Sequence, residues 1–136
     1  MNTSLILSGE EWASIVKLNA GNTAEPLLQL LKNMNACDEN IDKIQISLQE
    51  KQLAKLEGNL LRLSPLLHLI VTEAKIATSI CEPSSGCYVL ECPALFLLFT
   101  RYEWAQEMWR ISAFQDMDSL QKALFIPKND PFVKND

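Results

Sequence analysis

Apolar residues recur at helical spacing through most of the first eighty positions, broken by glycine, asparagine and proline. Ser8-Gly9-Glu10-Glu11 has the form of a capping box, in which the Ser8 hydroxyl and the Glu11 carboxylate satisfy each other's backbone amides. Trp12, Ile15, Val16 and Asn19 follow at helical spacing, and Ala20-Gly21-Asn22 reads as the stop. Thr23 is the expected cap of a second helix, with Pro26 tolerated in its first turn. Leu27, Leu28, Leu30, Leu31 and Met34 give that helix a broad apolar arc and the expectation of deep burial. A third helix opens at Asp38 and carries Ile41, Ile44 and Leu48, with Leu53 and Leu56 near its end. Ser47 and Glu50 form a second capping box, which leaves a break near Ser47 open.

The turn Glu57-Gly58-Asn59 leads into a short strand, Leu60 to Leu63. Ser64-Pro65 then starts a fourth helix, with Leu66, Ile70, Ala74, Ala77 and Ile80 expected inward and His68, Thr72, Lys75 and Ser79 on the opposite face. Helix, turn, strand and helix in this order form a winged-helix-like layout. After the loop Glu82-Pro83-Ser84-Ser85-Gly86 the period shifts to that of strands, over Cys87 to Glu91, Ala94 to Arg101 and Met108 to Phe114. Asp116 caps a last helix with Leu120, Ala123 and Leu124. The expected fold is α+β: a winged-helix-like N-terminal part, a three-stranded antiparallel meander and a C-terminal helix. One domain spans residues 1–126, helical over about 8–81 with sheet and last helix over about 87–126, and 127–136 is expected to be a mobile tail. Within Ala94 to Phe99 both parities are apolar, so both faces of that strand need cover. Helices of the chain supply both layers, or one face is an interface.

Composition narrows the function. The 136 residues are 48% hydrophobic and 21% charged, enough for one ordinary core without staples. Twelve basic against seventeen acidic side chains leave a net charge of -5, which repels phosphate backbones and favours a protein partner. The N-terminus lacks a basic leader, and the longest apolar run, Ala94 to Phe99, is too short for a membrane span. The four cysteines are then expected as reduced thiols in a cytoplasmic protein.

The chemistry-bearing residues do not assemble into a motif. Cys81, Cys87 and Cys92 are separated by five and four residues, and no Cys-x-x-Cys pair exists, so no metal is expected. His68 is the sole histidine and reads as a surface residue without a nucleophile signature. Glu10-Glu11 and Asp38-Glu39 belong at helix N-termini, and isolated glycines exclude phosphate-binding loops. Neither an enzyme nor a cofactor is expected. Large aromatics remain as candidate partner anchors: Tyr102, Trp109 and Trp104, the last in the segment Glu103 to Gln106. The alternative is a DNA-binding regulator with Lys43, Lys51, Lys55 and Arg62 as phosphate contacts, against which Asp38, Glu39, Asp42, Glu50 and Glu57 weigh.

The order of elements resembles the EspG-type chaperones of type VII (ESX) secretion and their firmicute relatives. Three segments carry the likeness: LILSGEEW from Leu5 to Trp12, LQEKQLAKL from Leu48 to Leu56, and GNLLRLSP from Gly58 to Pro65. Leu66 to Phe114 then continues as helix, loop and small sheet, as in that group. The chain is about half the length of a full chaperone of that type, so it would be half of a duplicated fold or of a homodimer. The resemblance implies a cytosolic adaptor that holds helical-hairpin secretion substrates. The function expected is therefore non-enzymatic protein binding, by a partner protein or by a second copy.

Overall fold

A computed structural model describes residues 3–19, 21–35, 41–58, 60–102, 105 and 107–128. In chain order the elements are β1 (Thr3–Ser8), α1 (Gly9–Leu18), α2 (Glu25–Asn33), α3 (Ile41–Glu50), β2 (Ala54–Glu57) and β3 (Leu60–Leu63). They continue with α4 (Pro65–Lys75), β4 (Ser79–Ser84), β5 (Cys87–Glu91), β6 (Phe96–Arg101), β7 (Met108–Phe114) and α5 (Met117–Lys128). The fold is α+β, but the main sheet has five strands rather than three, in the order β1-β7-β6-β5-β4, and every pair is antiparallel. β2 and β3 form a separate hairpin.

Two strands were hidden for identifiable reasons. β1 is only six residues long and mixes Thr, Ser and aliphatics, too short for alternation to stand out before the helix begins. β4 contains Glu82, Pro83 and Ser84, a loop composition; proline is tolerated there because β4 is an edge strand with a register shift between Cys81 and Ser84. Its first residues, Ser79 and Ile80, do not extend the fourth helix. That helix ends at Lys75, with Ile76 as its cap.

The third helix is also shorter than its apolar stripe suggests. Gln52 takes a left-handed φ of 62°, the Gln52 amide donates to the Gln49 carbonyl and the Leu53 amide to the Leu48 carbonyl. This pair of bonds closes α3 in a Schellman motif. Ala54, Lys55 and Leu56, expected at the end of the helix, and Glu57, expected in the turn, become the strand β2 paired with β3, with Gly58 at φ 63° beyond it. Ser47 is not a helix cap; its hydroxyl donates to Glu11. Asp38, the expected cap, lies outside the described residues.

Other starts follow the sequence closely. Ser8 and Glu11 make the reciprocal capping box of α1, at 3.0 and 2.8 Å. Ser64 caps α4 by accepting from the Leu67 amide at 3.3 Å, with Pro65 in the first turn. Asp116 accepts from the Ser119 amide at 2.7 Å ahead of α5, which holds its carboxyl below the usual range. Ala24, not Thr23, stands at the N-cap of α2, without a side-chain bond. α2 is less buried than its composition suggests: Leu27, Leu30 and Met34 are buried while Leu28 is exposed. α5 runs on through Pro127 to Lys128, and residues 129–136 lie outside the described ones.

The helices α1 to α4 do not form a separate winged-helix module. Their apolar faces join one face of the sheet in a single core, where Trp12, Ile15, Leu30, Leu48 and Ile70 meet Leu7, Leu97, Phe99 and Ile111. The Trp12 and Phe99 rings lie 5.3 Å apart, at an angle of 57°. On the other face Cys87, Val89 and Leu98 pack under Leu120, flanked by Phe96, Phe114, Ala123 and Leu124. The doubly apolar strand is thus covered on both sides, by α1 to α4 and by α5. α4 turns inward on Leu67, Ile70, Val71 and Ala74, one position away from the expected Leu66 at its start. The same rotation buries Lys75, whose ammonium donates to the Asn19 and Gly21 carbonyls at 2.5 and 3.1 Å and ties α4 to the link between α1 and α2. Among the described residues no helix is long and apolar enough to cross a membrane.

Candidate functional site

An open groove of about 760 Å³ lies where the hairpin meets three helices. α1 supplies Ile15, Leu18 and Asn19, α3 supplies Gln45, β3 runs along it from Leu60 to Leu63, and Pro65 and His68 of α4 close the far side. The floor and rim differ in character. Ile15 is buried, whereas Leu18 and Leu60 are 49% and 62% exposed and project to solvent. Exposed leucines at the rim of a groove cost free energy in water unless something covers them, at roughly 25 cal/mol per Å² of apolar surface.

The walls are fixed to one another by a buried ionic cluster. Glu11 is 3% exposed. Its Oε1 accepts from Lys51 Nζ at 2.6 Å and from the Ser8 amide, and its Oε2 accepts from the Ser47 hydroxyl. Burial alone would raise the Glu11 pKa, but the bonds from Lys51, Ser47 and Ser8, with the lysine's charge, outweigh it and hold the carboxyl below its ordinary value. α1 and the end of α3 are thereby locked, and with them the start of the hairpin. Glu11 holds the walls together and is not itself among the residues that line the groove.

The groove offers little reactive chemistry. His68 lines it. No group of three metal-ligating side chains occurs among the described residues. Cys92 is buried, and its thiol is pushed up to about 12 by burial first and by the negative fields of Glu73 and Glu91 second.

The structure distributes the sequence-selected residues widely. Trp109 is 2% exposed and sits in the sheet core beside Tyr88, ring centroids 5.9 Å apart, so it serves packing and not a surface. Tyr102 is half-buried; its hydroxyl accepts from Arg110 Nε at 3.2 Å, and the guanidinium lies 5.8 Å from the ring centre. Trp104 lies outside the described residues. Lys43 is exposed on α3. Lys51 is bound to Glu11, and Arg62 is bound to Glu57 at 2.9 Å. Lys55 is Arg62's cross-strand partner on the hairpin. Only Arg62 of these residues lines the groove.

Sequence reasoning missed Leu18 and Leu60, although each carried a signal. Leu18 falls off the Trp12–Ile15–Val16 stripe, and Leu60 shares its strand parity with Arg62 instead of with Leu61 and Leu63. Apolar residues on a polar parity are the pattern of a surface built to be covered. No family model, curated protein or solved structure matches the chain.

Proposed function

We propose that the chain is a non-enzymatic protein-binding module that takes the apolar stripe of a partner helix into the groove between α1, α3, β3 and α4. The observation that carries this reading is the pair of exposed leucines, Leu18 and Leu60, that line the groove between the hairpin and the helices. A helix lays residues of one face along such a groove, and its polar face stays in water. The resemblance to secretion chaperones adds a partner class, helical-hairpin secretion substrates, and a cytoplasmic setting. The regulator reading draws less support, because Lys51 and Arg62 already spend their charge on carboxylates and Glu57 stands on the hairpin. A paired capture from the native host tests the proposal, with wild type against Leu60→Asp as baits. The expected result is a helical protein retained by wild type and lost with Leu60→Asp, while both baits unfold at the same temperature. An identical set of retained proteins would overturn it, and duplex DNA eluted by salt would revive the regulator.

A further inference from the structure

The two margins of the main sheet are unlike. β4 is guarded against pairing by Pro83, by the charge of Glu82 and by its shifted register. β1 has no proline, no charged residue and an unbroken register of six residues against β7. Leu5 and Leu7 alternate with Ser4, Ile6 and Ser8, and the second set turns its backbone groups away from β7. The Ile6 carbonyl accepts from Lys51 Nζ at 3.4 Å, and the Ser8 amide is taken by Glu11. The amides of Ser4 and Ile6 therefore face outward from the sheet.

A second groove, of about 460 Å³, runs along this margin and is lined by Ser4, Leu5, Ile6, Lys51, Leu53 and Arg110. Its two sides differ. Leu5 and Leu53 give the helix-covered side an apolar wall, while Arg110, cross-strand partner of Ile6, stands on the opposite face. Arg110 bonds only the neutral hydroxyl of Tyr102 and has no carboxylate partner among the described residues. Ile6 beside it is 41% exposed, beyond the cover of α5.

We propose that the β1 margin adds an extended peptide segment as a further strand, one whose side chains alternate between apolar and acidic. The apolar set meets Leu5 and Leu53, the acidic set meets Arg110, and the backbone bonds Ser4 and Ile6. The proposal rests on different elements from the groove at Leu60 and stands or falls apart from it.

The test uses the full chain and a blocked peptide of alternating valine and glutamate as long as β1, beside its valine–lysine counterpart. Amide exchange followed by NMR should show Ser4 and Ile6 protected by the glutamate peptide, and not by the lysine one. Ile6→Pro removes an outward amide without touching the β7 ladder, and should weaken binding about tenfold, as for one or two lost backbone bonds. Arg110→Glu should exchange the peptide preference, a result that a merely misfolded variant does not give. Equal binding of both peptides, or protection elsewhere than β1, overturns the proposal. So does protection of Ser4 and Ile6 that rises with protein concentration alone, which would assign the margin to a second copy.

Discussion

A carboxylate that is 3% exposed carries a desolvation cost, and Glu11 offsets it with an amide, a hydroxyl and an ammonium drawn from β1, α3 and the turn after it. Its pH dependence follows from the sign of its shift. The folded pKa lies below the ordinary 4.5, so the unfolded chain binds the proton more readily. The stabilisation is complete above that ordinary value and is lost as pH falls through the lower folded one. Glu11→Gln should cost about 2 kcal/mol near neutral pH, and the gap from wild type should close in acid. Denaturant unfolding at several pH values checks this; a gap constant with pH would contradict it. The thiols make a second contrast. Cys81 is exposed and Cys92 is buried with its pKa pushed up to about 12. Iodoacetamide at neutral pH should therefore modify Cys81 well before Cys92, read by peptide mass spectrometry. Equal rates would mean that the link from β5 to β6, where Cys92 lies, opens readily.

Single elements were legible where local chemistry decides them. The Ser8–Glu11 capping box, the Ser64-Pro65 start and the Asp116 cap each satisfy amides within one turn, so the sequence shows both partners at once. β5 and β7 follow the expected limits because they are apolar strands between polar breaks. The misses are elements that only distant partners stabilise. β1 exists because β7 lies beside it, more than a hundred positions along the chain, and β4 survives its proline because nothing pairs with its outer side. The Ser47–Glu50 capping box pointed to a break in the wrong place: α3 runs through both residues, and a left-handed Gln52 ends it. That residue type pays for a conformation glycine adopts freely. Gln52→Gly should raise stability by about 0.5–1 kcal/mol, measured by thermal or denaturant unfolding. A loss of stability would show that the Gln52 side chain does more than end the helix.

At the scale of the whole molecule, the two apolar parities of β6 forecast two covering layers, and α1 to α4 and α5 provide them. Strand number and order were not legible, because the pairing of the first strand with the last leaves no local trace. The candidate groove was legible only in part: Leu60 sat in a segment quoted for other reasons, while the aromatics chosen as anchors fell to the core, to a half-buried contact or outside the described residues. The fold leaves several large apolar side chains uncovered; two of them, Leu18 and Leu60, line one groove beside the Glu11 cluster, and this supports partner binding as the central claim. Photo-crosslinking in the native host, with a benzophenone side chain at position 60 and a control at exposed Lys122 on α5, tests that claim most directly. The account predicts a nuclease-resistant adduct with one protein from position 60 and none from 122. No adduct at 60, or equal adducts at both positions, would contradict it.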